Sequence, residues 1–114
     1  MNFKHIYKII DGNEWQKAKE KGYYLGSKKD NEDGYIHFSD HEQVEGTLKK
    51  YYPNQKNLIL LKVDTLKLEL LLWEQGSDGN MFPHLYSKLD INNVVSEDLI
   101  DIDNNGSNIL PINF

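Results

Sequence analysis

A continuous apolar run, Leu58 to Val63, is the feature that most constrains the fold of this 114-residue chain. Five of its six residues are Leu, Ile or Val, and only Lys62 interrupts them. A strand that is apolar on both faces must be covered on both sides, so the run predicts a central strand between two packed layers. A chain of this length builds one core of that kind, so we expect a single domain over residues 1–114.

The other predicted elements change in type along the chain. They are a strand over Ile6–Ile10, a helix over Glu14–Lys21 closed by Gly22, a polar loop over 27–34, a strand over Tyr35–Phe38, a helix ending at Tyr52, a strand-like alternating segment over 66–74, and strands over 81–86, 91–95 and 99–102. Val44, Leu48 and Tyr51 are spaced as one helix face, which predicts the buried stripe of the second helix. Helices come early and strands late without a regular βαβ rhythm, which indicates an α+β fold.

The composition argues against several classes of protein. The chain has 18 acidic and 13 basic residues and a formal net charge of -5. Because phosphate contacts require a basic surface, no duplex nucleic-acid partner is expected. The mean hydropathy is -0.66 and no apolar run has the roughly 18 residues of a membrane span. The absence of cysteine and of a secretory signal fits a cytoplasmic location, and we expect a monomer.

His37 is the first candidate for chemistry. It lies between Ile36 and Phe38, and if these two side chains face the core, His37 lies on the opposite face of the strand with Tyr35 and Ser39. That arrangement would line one strand face with three polar side chains. The alternative is a half-buried histidine bonded to a backbone carbonyl, and both readings stay open.

Ser39 begins the segment that leads into the second helix. Its spacing from Glu42 is that of a capping box, with Asp40 as the competing N-cap. No Gly-x-Ser-x-Gly elbow surrounds it, so a nucleophilic serine has little support. Gln43 and Thr47 are one turn apart and can point to the same side as the helix N-terminus, whose free N–H groups suit a phosphate.

His84 and Glu74 are the candidates in the second half. Pro83 stiffens the backbone before His84, which helps to aim the ring, although proline is also common at a strand start. Glu74 follows Trp73 at the end of an apolar run, where a carboxylate can act as an acid or base or can be a solvated strand-end charge. Together with His37 these residues have the ligand types of a zinc or iron site, but no local ligand spacing supports one, so no metal is predicted.

Taken together, these segments form a pattern that is similar to that of a known family. The matching residues run in the family's order: Trp15-x-x-Ala18-x-x-x-Gly22, Gly34-Tyr35-Ile36-His37-Phe38-Ser39, Gln43, Thr47, Leu60-Leu61-x-Val63-Asp64, Trp73-Glu74 and Phe82-Pro83-His84-Leu85-Tyr86. With them the chain resembles the bacterial family called domain of unknown function 952, from Ile6 to about Val95. The resemblance implies the fold of the ADP-ribosyltransferase superfamily, which includes the RNA 2'-phosphotransferases. That fold is a split β-core of two small mixed sheets with a few flanking helices and a nucleotide cleft between the sheets.

The same resemblance implies roles, and the chain departs from some of them. His37 would match a cleft histidine that contacts phosphate or ribose. ADP-ribosyltransferases commonly have a His or Arg on the first core strand, where this chain has Tyr7 and Lys8. They also use a Glu/Gln-x-Glu pair, which Glu74-Gln75-Gly76 does not form. Few basic residues match the RNA-phosphate contacts of the phosphotransferases, so the resemblance does not extend to the residues that carry transfer chemistry of either kind.

Two classes of function follow. The first is an enzyme with transferase-like or hydrolytic activity on an NAD-type or phosphorylated nucleotide, with His37, Glu74 and His84 as its catalytic groups. The second is a non-catalytic binding module that keeps the cleft. The residues predicted to contact the ligand are Tyr35, Ser39, Gln43, Thr47, Phe82 and Tyr86. A shared pocket requires the rings of His37 and His84 to lie within roughly 12 Å of each other, so that they can bracket one small ligand.

Overall fold

The structure is a computed structural model that describes residues 4–112 and 114. Within these residues the elements are β1 (His5–Asp11), α1 (Gly12–Lys21), β2 (Tyr23–Tyr24), α2 (Lys28–Asp33), β3 (Ile36–His37), α3 (Val44–Tyr51), β4 (Leu58–Asp64), β5 (Leu71–Gln75), β6 (Met81–Leu85), β7 (Leu89–Asp90), β8 (Val94–Ile102) and β9 (Asn108–Ile109). Short 3₁₀-helices, His41–Gln43 and Ile91–Asn93, precede α3 and β8. The predicted α+β class is confirmed.

The strands form three sheets. One has four strands in the order β1-β4-β8-β9, one has the three strands β3-β6-β5, and one pairs β2 with β7. Every pairing of these strands is antiparallel. The expectation of two mixed sheets is therefore wrong in sheet number and strand direction, because sequence patterns locate strands but do not say which strands pair. The ADP-ribosyltransferase-like fold itself stays a prediction.

Strand β4 is central in the large sheet, as its apolar run predicts. It lies between β1 and β8, and its side chains alternate between two hydrophobic clusters. Leu61 and Val63 pack on the side of α1, whereas Leu58 and Leu60 pack on the side of α3. Each fully buried side chain of this kind stabilises the fold by roughly 1.5–3 kcal/mol relative to its exposed state. The two faces of β4 thus anchor both helical layers.

The segment over 27–34 is the main local correction, because it contains a helix where a polar loop was predicted. Ser27 caps α2 by accepting the Asp30 N–H at 3.2 Å, and the Asp30 carboxylate accepts the Ser27 N–H at 2.8 Å. This reciprocal capping box gives a short polar helix its start. The helix ends at Gly34, whose φ of +90° is the left-handed conformation that favours glycine. Helix α2 carries a buried acid, Asp30, into the interior.

Other predicted elements also need correction. The second helical segment is capped by Asp40 with Gln43, not by Ser39 with Glu42, because the Asp40 carboxylate accepts the Gln43 N–H at 2.9 Å. Tyr51 was predicted to be buried, but it is 45% exposed, because α3 turns that side chain away from the apolar cluster that holds Val44 and Leu48.

The predicted strands between residues 66 and 95 are partly wrong. The Leu66–Leu70 segment forms turns, in which Leu70 has a φ of +59° and Leu66 is 83% exposed, so the apparent alternation does not mark a strand. The predicted strand over 91–95 is a 3₁₀-helix followed by the start of β8. There Asp90 caps the short helix by accepting the Asn92 N–H.

Candidate functional site

One face of the three-stranded sheet carries most of the predicted site. His37 on β3 lies directly opposite His84 on β6, and Ile36 lies opposite Leu85. Ile36 and Leu85 are buried in the core, so the two histidines lie on the other face of the sheet. The predicted alternation around His37 is therefore confirmed, because Ile36 and Phe38 are each 3% exposed.

The two histidine rings lie side by side and share an aromatic neighbour. Their centroids are 5.6 Å apart, well inside the distance that a shared pocket requires. The Tyr35 ring stacks on the His84 ring at 4.0 Å with an interplanar angle of 19°, and lies 4.6 Å from the His37 ring. Tyr86 adds a fourth ring 5.3 Å from Tyr35. Segments 34–39 and 82–86 thus build one continuous surface of aromatic and imidazole rings.

His84 is held in one orientation by Glu74. The His84 Nδ1 lies 2.9 Å from Glu74 Oε1, and the Tyr86 hydroxyl donates to the same oxygen at 2.6 Å. These hydrogen bonds, first from Tyr86 and then from His84, lower the pKa of Glu74, and the bond to Glu74 raises the pKa of Tyr86 to about 12. An ionised Glu74 only accepts, so Nδ1 of His84 carries the proton. Its Nε2 makes no hydrogen bond with residues 4–112 or 114.

His37 is held differently, because carboxylates face both of its ring nitrogens. Nδ1 lies 2.6 Å from Asp30 Oδ1, and Nε2 lies 3.0 Å from Asp33 Oδ2. The side chain of His37 is about one third exposed. Neither nitrogen is therefore free to contact a ligand unless one of these carboxylates moves.

Asp30 is the buried centre of this network, and the sequence reasoning missed it. Its side chain is 2% exposed and contacts Lys8 Nζ at 3.0 Å. It also accepts the backbone N–H groups of Ser27 at 2.8 Å and His37 at 3.2 Å. Burial alone would raise the pKa of Asp30, but the hydrogen bond from His37, the charge of Lys8 and the Ser27 N–H together hold that pKa well below its usual range. The Ser27-x-x-Asp30 capping spacing was the signal that could have revealed it.

A cleft of about 770 Å³ opens onto this face. Seven of the predicted site residues line it: Tyr35, His37, Ser39, Gln43, Thr47, Phe82 and His84. Lys8 and Asp30 line it as well, together with residues 7–11 of β1 and residues of α3. Glu74 and Tyr86 do not line it, but Glu74 contacts the cleft-lining His84.

Three of the lining side chains are engaged in bonds that hold the cleft walls together. Ser39 Oγ and Thr47 Oγ1 are 2.9 Å apart, which ties the segment after β3 to α3. The Gln43 amide donates to the carbonyl oxygen of Met81 at 2.8 Å and accepts the Asp40 N–H at 3.0 Å. Their hydrogen-bonding capacity is therefore largely used within the protein, and the polar groups open to a ligand lie elsewhere on the cleft wall.

Neither a metal centre nor a membrane span is found in the part of the chain that the structure describes. No group of three or more His, Asp or Glu side chains is arranged there to hold a metal ion. The Nδ1 atoms of His37 and His84 are instead each directed at a carboxylate. Among the same residues, none of the helices has the length and apolar character needed to cross a membrane.

The chain is similar to one family and to a set of solved structures. The family model described as "Protein of unknown function (DUF952)" matches residues 9–97. The crystal structure of protein CC0527 from Caulobacter crescentus has 42% sequence identity and a TM-score of 0.86, and the match covers 91% of this chain and 92% of that one. The solution NMR structure of CC0527 has 42% identity and a TM-score of 0.81, covering 92% and 91%. No curated protein matches the chain. The family match includes both histidines and Glu74.

Proposed function

The chain belongs to the DUF952 family of proteins of unknown function, and we propose that its cleft binds a small nucleotide-type ligand on which His84 acts as general acid and base. The observation that carries this proposal is the 2.9 Å contact between His84 Nδ1 and Glu74 Oε1, which leaves Nε2 of a cleft-lining histidine without a hydrogen-bond partner among residues 4–112 and 114. A carboxylate that orients an imidazole is the usual way to direct its second nitrogen at a reacting group.

The chemistry that this pair supports is proton transfer. With Nδ1–H donated to Glu74, the lone pair on Nε2 can accept a proton from a ligand hydroxyl or from water. The same proton can then be returned from Nε2 to the leaving group. Glu74 keeps its negative charge throughout and stabilises the imidazolium form. Such a sequence serves hydrolysis or group transfer, and a general base of this type contributes typically 10²–10⁴-fold to the rate.

The walls of the cleft suit a ligand with a ring and polar substituents. Its volume of about 770 Å³ is within the range of small-molecule sites, roughly 300–1,000 Å³. Tyr35 and Phe82 line it and present aromatic surface on which a base or a nicotinamide-type ring can stack. An NAD-type nucleotide has both parts, which is why nucleotides are the first ligands to test.

A second function is favoured by the state of His37. Both of its ring nitrogens are directed at Asp30 and Asp33, so only one of the two histidines is free for proton transfer. A module that binds the ligand without turnover would have this arrangement, with the His37 network serving as a rigid wall.

Nucleotide titration of isotopically labelled protein tests the proposal. NAD, ADP-ribose and a 2'-phosphorylated nucleotide are added in turn, and the amide shifts of β3 and β6 are followed, then product formation is assayed. We expect shifts at His37 and His84 and turnover that falls about 100-fold in His84→Gln. His41→Gln is the matched control, because His41 is exposed and does not line the cleft. Shifts without turnover identify the binding module, and the absence of shifts with all three nucleotides refutes the nucleotide proposal.

A further inference from the structure

Three hydrogen-bonding side chains converge at one edge of the cleft, on the side of α3 and the turn between β5 and β6. Lys50 Nζ donates to Ser77 Oγ at 2.8 Å, and the Tyr51 hydroxyl lies 3.3 Å from the same oxygen. The Lys50 ammonium also lies 5.2 Å from the centroid of the Tyr51 ring. All three residues line the cleft. Their polar groups are thus close enough together to contact one small anionic group.

The charge of Lys50 is not neutralised by an ion pair within residues 4–112 and 114. Among these residues it donates to the neutral Ser77 hydroxyl, and at least one of its three N–H groups remains available. The nearby Asp78 carboxylate accepts the Asn80 N–H at 2.9 Å. Lys49 is the neighbouring residue on α3, but it is paired with Glu45 at 3.0 Å and does not line this cleft.

The environment of the Tyr51 phenol is consistent with a site that stabilises negative charge. The hydrogen bond with Ser77 is the main cause that lowers the pKa of Tyr51. Burial opposes it, and Lys50 and then Lys29 add to the lowering. Lys29 also lines the cleft, although it is paired with Asp33. The histidine face and this edge of the cleft therefore present different chemistry to a ligand.

We propose that the side chains of Lys50, Tyr51 and Ser77 bind an anionic phosphoryl group of the ligand. The proposal rests on the proposed function in that it assigns one part of the same ligand to one edge of the same cleft. A phosphoryl group has several oxygens in a tetrahedral arrangement, so it can accept hydrogen bonds from an ammonium and two hydroxyl groups at once. The Ser77 hydroxyl accepts from Lys50, and its 3.3 Å hydrogen bond with the Tyr51 hydroxyl uses one of the two hydroxyl protons. The phosphoryl group replaces that bond, so that both hydroxyls donate to the ligand.

Binding of inorganic pyrophosphate at low salt, measured by calorimetry, tests this site. Lys50→Gln should weaken binding about five- to tenfold, because it removes one charge-assisted contact in an exposed setting. Lys49→Gln removes the same charge from the adjacent position and should change the affinity less than about twofold. Tyr51→Phe should also weaken binding, since it deletes only the hydroxyl. Equal losses in Lys49→Gln and Lys50→Gln, or no binding of pyrophosphate by the wild-type protein, would overturn the proposal.

A control variant and a second anion test the proposal further. Pyrophosphate binding involves no turnover, so a failure of the acid–base proposal leaves this test intact, and His41→Gln, which is exposed and outside the cleft, should bind pyrophosphate as the wild type does. Malonate, a dianion with carboxylates in place of phosphoryl groups, should bind more weakly than pyrophosphate. Malonate binding of equal or greater affinity would contradict the phosphoryl assignment.

Discussion

Replacing Asp30 by asparagine tests whether the buried network supports the cleft wall. Asp30 and Lys8 are 2% and 4% exposed, and their charged groups are 3.0 Å apart. Asp30→Asn keeps the size of the side chain but leaves the Lys8 ammonium buried without a counter-charge. Removing one partner of a buried ion pair destabilises a protein by about 3–5 kcal/mol, whereas replacing both partners by neutral groups is often close to neutral. Since domains are stable by about 5–15 kcal/mol, the loss should be a large fraction of the total.

Urea denaturation followed by circular dichroism gives the free energies of unfolding for a double-mutant cycle. Asp30→Asn and Lys8→Met are the single variants, and Asp30→Asn should lose about 3–5 kcal/mol. The double variant should be more stable than Asp30→Asn alone. The reasoning is refuted if Asp30→Asn unfolds within about 1 kcal/mol of the wild type, or if the double variant is no more stable than the single one.

The same pair predicts a pH dependence with a definite sign. The folded-state pKa of Asp30 is depressed below the value of about 3.9 that the unfolded chain has. Between these two values the unfolded state binds the extra proton, so the contribution of Asp30 is fully present above about pH 5 and is lost as the pH falls toward the folded pKa. The stability of the wild type should therefore fall more steeply below pH 5 than that of the double variant, and parallel curves would contradict the assignment.

Two other predictions concern Glu74 and two glycines. Glu74→Gln removes the carboxylate that raises the pKa of Tyr86 to about 12. The Tyr86 phenol of the variant should therefore titrate at about 10 when its ring NMR signals are followed. An unchanged titration would argue against Glu74 as the cause. Gly26→Ala should lower the free energy of unfolding in urea by about 2 kcal/mol or more, because φ is +107° and the new Cβ would lie 2.8 Å from a side-chain carbon of α2. Gly34→Ala, with φ of +90° and open space around it, should lose only about 1 kcal/mol, and equal losses would show that the close contact is unimportant.

The parts of the fold that depend on local periodicity could be predicted from the sequence. Strand β4 is apolar on both faces and is indeed covered on both, so its central place follows from its composition. The alternation of Ile36, His37 and Phe38 assigns the histidine to the open face of the sheet, because side chains on a strand alternate with a period of two. Where buried positions recur at a regular spacing, the sequence shows which face of an element is buried.

The parts that depend on contacts between distant segments could not be predicted in this way. Helix α2 is polar all round, and the Ser27-x-x-Asp30 spacing predicts only its cap. The burial of Asp30 depends on Lys8, which lies far away in the sequence on β1. The segment over 66–70 shows the opposite error, because its alternation of leucines with charged residues predicts a strand that does not form. The segment makes turns instead, and Leu70 has a φ of +59°. Likewise, Ser39 and Gln43 have the residue types of ligand contacts, but partners elsewhere in the chain use their polar groups.

The pairing of His37 with His84 has a consequence for how the protein acquires its site during synthesis. The β3–β6 pairing joins segments that are far apart in the sequence, and the β2–β7 pairing, which joins Tyr24 to Leu89, encloses it. A nascent chain that has emerged only as far as β4 has one histidine of the cleft and none of the strand that holds the other. Domains dominated by such long-range strand pairings fold in milliseconds to seconds. The histidine face should therefore form only after residues to about 90 have left the ribosome.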